Sequence, residues 1–242
     1  MSDLLNLEYK NEISIISINN ANHGNRVSDE MAIELTNMIN TAQIDSHFII
    51  FKSIGEDFCM GRAVMGEKPG TLPEALAMRE KFDIVFNLYD AFRNSEVPIL
   101  GIVQGGAHGF GAALTALTDI TICSEKATFS LPETSHNIMP TMAMSALMGR
   151  VSRKALLYMT YTCDEIDAQT ALNFGLVSQV VKHSNLKQAE ETIIPKLTRI
   201  PRSAIKAVKE FSNEGEELNT KSAKAYARNL HATINSSETL RN

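Results

Sequence analysis

Short apolar runs of strand length alternate along this chain with stretches of helical period, and that alternation limits its fold more than any other feature. "EISIISIN" (12–19) is rich in β-branched residues and reads as a strand with a partner near Leu5 to Tyr9. "NANHGNRVS" follows with turn chemistry, and Ser28 stands where it can N-cap a helix carrying Met31, Leu35, Met38 and Ile39 on one stripe. "FIIFKSI" (48–54) is almost continuously apolar, as a strand covered on both faces requires. Beyond a loop containing Gly61, Gly66 and Gly70, helical period runs from Pro73 to Phe92. "ILGIVQG" is a third strand, and Gly109 or Gly111 opens a helix holding Leu114 and Leu117. "ITICSEKATFS" reads as a strand with a turn, and "LPETSHNIMPTMAMSALMGRV" as a loop entering a helix. The β–α order predicts an α/β protein with a largely parallel sheet and crossover helices.

The last third changes character. Helical stretches are expected at Arg153 to Tyr161, Asp167 to Gly175, Asn185 to about Leu197 and after Pro201, with "LVSQVV" as a short strand among them. Residues 1–185 read as the core and 186–242 as a helical region whose apolar faces suit a neighbouring subunit. A net charge of -5 without a lysine–arginine cluster argues against a nucleic-acid partner. Cys59, Cys123 and Cys163 lack disulfide or zinc spacing, so no metal is expected and a reducing, cytoplasmic setting is. No basic-then-apolar leader opens the sequence, and no run reaches the roughly 18 apolar residues of a membrane span, so no membrane partner is expected.

The glycine cluster in "VQGGAHGFGAALTALTDI" admits two readings. Glycine lets backbone approach closely, and the first amides of a helix offer free N–H groups at the positive end of its dipole. Such a site receives a phosphate or the oxygen of a developing enolate. Tight packing of helix on sheet accounts for the same glycines equally well. A dinucleotide fingerprint is not met, because Leu114 stands where a third glycine would. No G-x-S-x-G occurs, which argues against a serine nucleophile, although His108-Gly109 is faintly similar to the oxyanion motif of lipases. Two loops supply candidate donors: Gly61-Arg62 after one strand and Phe110-Gly111 after the next.

With both loops, the Pro-Glu step at 132–133 and "EIDAQTALNFGLVSQVV" in view, the chain resembles the crotonase superfamily, the enoyl-CoA hydratases and isomerases, over almost its whole length. "DFCMGRAV" is similar to the F-x-x-G-A-D segment of that superfamily, and "VPILGIVQGGAHGFGAAL" to V-P-x-x-A-x-x-N-G-x-A-x-G-G-G. The resemblance implies a spiral of repeated ββα units, a C-terminal helical trimerisation region giving trimers or dimers of trimers, and an acyl-CoA substrate with no further cofactor. It implies that the thioester oxygen sits between the backbone amides of Arg62 and Phe110. Coenzyme A contact is implied for the backbone of Asn25, Arg26 and Val27, for Met60 and Gly61, and for Gly109 and Gly111. Lys206 and Lys209 share one helix face, which suits either phosphates at a neighbouring subunit or solvent. The Arg62 guanidinium has phosphate as one expected partner and solvent as the other.

Hydratases of the family use two glutamates. The first position is occupied here by Ala113; the second matches Glu133. A single carboxylate resembles the isomerases, in which one glutamate moves a proton between carbons 2 and 4 over an oxyanion hole. Phe129, Leu131, Ile138 and Met139 are expected to line its pocket. His108 and His136 are auxiliary candidates because imidazole is the side chain whose ordinary pKa lies near neutrality, and Asn137 because it replaces a common glycine. Three readings remain open: an isomerase using Glu133; a hydratase, decarboxylase or hydrolase using histidine or water; and an acyl-CoA-binding relative without chemistry. Asp119 is expected in a structural bond.

Overall fold

The computed structural model describes residues 3–63 and 74–240. Gly66, Gly70 and the expected helix start at Pro73 lie outside the described residues. The main sheet contains β1 (Leu5–Lys10), β2 (Ile13–Ile18), β3 (Phe48–Ser53), β4 (Ile99–Val103), β6 (Ile120–Ser124) and β9 (Gln179–Val181), in the order β1-β2-β3-β4-β6-β9. β1 and β2 pair antiparallel, with Leu5 opposite Ile18; every other neighbour is parallel. Period two divides the strands between two cores. Ile16, Ile49, Phe51, Ile99 and Val103 face one, and Ile13, Phe48, Ile50, Leu100 and Ile102 face the other. That is why "FIIFKSI" is apolar without interruption.

Helices α1 (Asp29–Asp45), α2 (Ala75–Arg93) and α3 (Phe110–Leu117) pack on the first face. α1 begins where expected: Ser28 accepts from Met31 N at 3.2 Å, and Met31, Leu35, Met38 and Ile39 are buried. α7 (Leu186–Thr198) covers the second face through Leu186, Ile193, Ile194 and Leu197, so the helical region begins by completing the core.

A second, smaller sheet holds β5 (Ala107–His108), β7 (Thr128–Ser130) and β8 (Ile166–Asp167). β5 and β7 pair parallel, with His108 opposite Ser130. Single parallel bridges extend this layer from Ala107 to Cys59, and join Arg62 to Val27. Each of β2, β3, β4 and β6 is therefore followed by a short stretch in the second layer, at Val27, Cys59–Arg62, β5 and β7. A helix then returns the chain: α1, α2, α3 and α4 (Thr141–Leu147) in turn. Repetition of that strand–stretch–helix unit produces the spiral.

α5 (Arg153–Thr162) and α6 (Ala168–Phe174) fall where the pattern predicts. α8 (Arg202–Glu217) is latched to the core by Lys209, whose Nζ pairs with Asp119 Oδ1 while Asp119 Oδ2 accepts from Ile99 N at 2.7 Å. The structural bond expected of Asp119 is thus found. α9 (Thr220–Asn235) is a helix the sequence reading did not include; none of its residues is buried, and it meets α8 through Phe211 and Tyr226, whose rings are 5.7 Å apart. No helix among the described residues is long and apolar enough to cross a membrane.

Candidate active site

The glycines serve close packing first. A side chain on Gly105 would meet Glu56 O at 2.1 Å, and one on Gly111 would meet Cys59 O at 2.0 Å. Neither gap admits a methyl, so the glycine turn presses against the 56–62 loop and holds the two candidate donor segments side by side. Gly109, at φ +52°, is the N-cap of α3, and Phe110 is its first helical residue. The Phe110 N–H therefore belongs to the first-turn donors that have no intrahelical acceptor.

Arg62 reaches the same cavity by strand alternation. Gly61 O accepts from Val27 N at 3.1 Å and Ala63 N donates to Val27 O at 2.9 Å. The amide between them is turned away from Val27, because successive backbone groups of an extended segment point to opposite sides. Arg62 and Phe110 both line a cavity of about 920 Å³, together with Gly109 and Glu133.

Glu133 opens a short 3-10 turn, Glu133–His136, after Pro132. Its Oε1 lies so near Gly109 that a side chain there would approach it to 2.8 Å, and its Oε2 is buried without a hydrogen-bond partner. Burial raises the carboxyl above its usual pKa, with its own backbone N–H and His136 pulling weakly the other way. A carboxyl so placed has the chemistry needed to exchange a proton with a group that enters the cavity. Ala113 is fully buried in α3 and is absent from the cavity wall, so no second carboxylate faces Glu133 from that position.

Tyr89 also lines the cavity and was not identified from the sequence. Its ring stacks on Phe110 with centroids 5.8 Å apart, and Arg93 covers it at 5.9 Å. Burial raises its hydroxyl pKa, so it remains a proton donor, and it senses both Arg62 and Glu133. The apolar lining differs from expectation. Ile138 is present, but Phe129 and Leu131 are buried in the core and Met139 is 73% exposed; Phe82, Val85 and Met142 line the cavity instead.

The structure separates the other expected residues into two groups. Arg26, Met60, Gly61, His108 and His136 line the cavity with the donors. Arg26 also donates to Met60 O at 2.6 Å, bracing the loop before Arg62. Asn25 is fully buried and outside the cavity wall; its side chain accepts from Asn20 N at 2.9 Å and donates to Ile54 O and Asp57 O at 2.8 and 2.7 Å. Val27 is core, and Gly111 is spent on the Cys59 contact. Asn137 caps the 3-10 turn in the left-handed region at φ +59°, a conformation asparagine tolerates, and lies outside the cavity wall. The Arg62 guanidinium is held by Asp29 at the start of α1, in place of the phosphate or solvent expected. Lys206 pairs with Glu96, and Lys209 is buried against Asp119; neither lines the cavity. No cluster of three or more metal-ligating side chains occurs among the described residues.

Comparison with known proteins agrees with this architecture. Residues 8–241 match the model of the enoyl-CoA hydratase/isomerase family. A short-chain-enoyl-CoA hydratase of Clostridium acetobutylicum is 29% identical over 230 residues, 91% of this chain and 85% of that protein. The enoyl-CoA hydratase domain-containing protein 3 of Rattus norvegicus is 33% identical over 126 residues, which cover 52% of this chain and 42% of the rat protein, so that match spans less than half of the relative's length. Among solved structures, an enoyl-CoA hydratase of Mycobacterium smegmatis superposes with a TM-score of 0.93 at 22% identity, covering 99% of this chain and 93% of the other. An enoyl-CoA hydratase of Thermobifida fusca in complex with CoA gives 0.88 at 20%, covering 95% and 92%. Those two likenesses establish the fold, the crotonase spiral, and the family model establishes membership: this chain belongs to the enoyl-CoA hydratase/isomerase family.

Proposed function

We propose that the protein is an acyl-CoA enzyme that shifts a double bond, with Glu133 as the acid/base and the Arg62 and Phe110 amides as the oxyanion hole. The observation that carries this reading is the Glu133 carboxyl, half-buried, unpartnered at Oε2 and seated on Gly109, one residue from the Phe110 donor. A bound 3-enoyl thioester would place its carbonyl oxygen between the two amides, and negative charge would collect there as Glu133 takes the proton at carbon 2. The same carboxyl, now protonated, would return that proton to carbon 4. Its raised pKa suits a group that must both take and give near neutral pH. The CoA-bound Thermobifida fusca relative supports coenzyme A as the carrier, with Arg26 and Met60 on the wall nearest the Arg62 loop as its contacts. No other cofactor enters the scheme. Self-association through the C-terminal helices, as a trimer or a dimer of trimers, belongs to the same proposal.

A second reading is hydration of 2-enoyl-CoA, favoured by the hydratase names of the relatives. Water would then be held by His108 or His136, since Ala113 supplies no carboxylate. Parallel assays with 3-enoyl-CoA and 2-enoyl-CoA decide between them. Isomerisation that is lost in Glu133→Gln supports the first reading. Water addition to 2-enoyl-CoA without isomerisation overturns it in favour of the second. Binding of both thioesters without turnover overturns both in favour of an acyl-CoA-binding relative.

A further inference from the structure

The cavity contains a second reactive group that double-bond chemistry does not use. His108 Nδ1 lies 2.8 Å from Ser130 Oγ, and His108 Nε2 lies 3.5 Å from Glu165 Oε2. All three residues line the same cavity as Glu133. They come from β5, β7 and the turn before β8, three neighbours of the small sheet, with His108 and Ser130 directly opposite in register. The next residue along, Gly109, donates its N–H to Ser130 O at 2.8 Å, and the residue after that is the Phe110 donor. Serine and base thus share one register position, and the candidate anion receptor follows two residues after the base. The tautomer in which Nδ1 accepts from Ser130 leaves the ring proton on Nε2, facing Glu165.

We propose that Ser130, His108 and Glu165 form a nucleophilic triad that hydrolyses acyl-CoA thioesters through an acyl-serine, using the oxyanion hole of the double-bond reaction. This rests on reading the cavity as an acyl-thioester site. Ser130 Oγ bonds to the carbonyl carbon as its proton passes to His108 Nδ1, and charge develops on the oxygen held by Arg62 and Phe110 N–H. Collapse breaks the C–S bond, and the imidazolium proton leaves on the coenzyme A sulfur. Solvent water then attacks the acyl carbon, giving its proton to Nδ1; the ester C–O bond breaks, Ser130 recovers that proton, and a carboxylic acid departs. Burial lowers the His108 pKa, against the opposing pull of Glu165 and Asp57, which favours the neutral ring that can accept a proton. The ring nitrogens have exchanged the roles they play in serine proteases, and the nucleophile sits at a strand end, which is why a search for G-x-S-x-G does not find it. The side chain of Glu165 is 60% exposed, so it orients the ring with less force than a buried acid would.

Butyryl-CoA, which has no double bond to move or hydrate, isolates this activity. The expected result is release of free coenzyme A thiol by the intact protein, with an acid-quenched acyl adduct mapping to the Ser130 peptide. Ser130→Ala and His108→Gln should each slow release about 10²–10⁴-fold, and Glu165→Gln about tenfold. Ser130→Cys, the control for folding, should retain an adduct, now a thioester cleaved by neutral hydroxylamine. If butyryl-CoA binds by calorimetry but releases no thiol, or if release persists in Ser130→Ala, the triad is wrong while the acyl-CoA reading stands. If neither butyryl-CoA nor a 3-enoyl-CoA binds, both fall together.

Discussion

The two sheets of this protein divide its work. The large sheet is made of strands long enough to fill two apolar cores, and its inward side chains are almost all branched aliphatic or phenylalanine. The small sheet is made of two- and three-residue strands, yet it and the loops bridged to it supply Arg62, His108, Ser130 and the approaches to Phe110 and Glu133. Long strands bury enough surface to fix themselves. Short ones are fixed by backbone contacts and by the framework beneath, which leaves their side chains available for polar roles. The polar residues of the cavity therefore collect where the strands contribute least to stability.

Glu133→Gln and Phe51→Ala test that division most directly. The first should cut enoyl-CoA turnover about 10²–10⁴-fold, or about 3–5 kcal/mol of barrier, without lowering the melting temperature. Phe51, fully buried between Phe58 and Phe92, should cost about 3–5 kcal/mol of stability in denaturant titration and leave turnover per folded molecule unchanged. Equal destabilisation by the two variants would break the comparison. Lys209→Met should remove about 2–3 kcal/mol, because the pair it leaves is only partly exposed at Asp119, and the loss should appear in melting before it appears in activity. Gly111→Ala mixes the two regions: its new methyl must displace the Cys59 carbonyl, costing about 1–3 kcal/mol, and a shift of the facing amides by an ångström should reduce turnover by about 10².

A smaller, signed effect should appear in pH titrations. Burial raises the Glu133 pKa in the folded state, so the native protein binds the proton more tightly than the unfolded chain does. The associated stability is present below the ordinary carboxyl value of 4.5, declines through the interval up to the raised folded value, and stays lost above it. Glu133→Gln should accordingly be slightly more stable than the parent at neutral pH. The acid limb of kcat/KM for isomerisation, which marks ionisation to the base form, should lie above 4.5 in the parent.

The large sheet was legible in the sequence because its strands carry long apolar runs, and α1 because Ser28 and its stripe announce a cap and a face. β5, β7 and β8 were not separately legible, since two or three residues cannot display a period. Glu133 and the candidate donors Arg62 and Phe110 were singled out through motif order, and the structure brings them to one cavity. Tyr89 and Asp29 reach that cavity from helices whose pattern records only which face is apolar. What the Asn25 side chain does was not legible, because its bonds to Ile54 O and Asp57 O join loops about 30 residues apart in sequence. α9 gave no signal because it buries no residue in this chain, so no stripe marks it. The Ser130–His108 contact spans 22 residues and exists only through register.

Gly109 has a mechanical consequence. Its bare Cα is the seat on which the Glu133 carboxyl rests, and its own carbonyl carbon is bonded to the nitrogen of Phe110. Seat and amide are neighbours along one covalent chain, so any drift of the small sheet carries both in the same direction. The spacing between the Glu133 carboxyl and the Phe110 amide is set by one close contact and the few bonds from Gly109 Cα to Phe110 N, and a larger side chain at this single position would uncouple them.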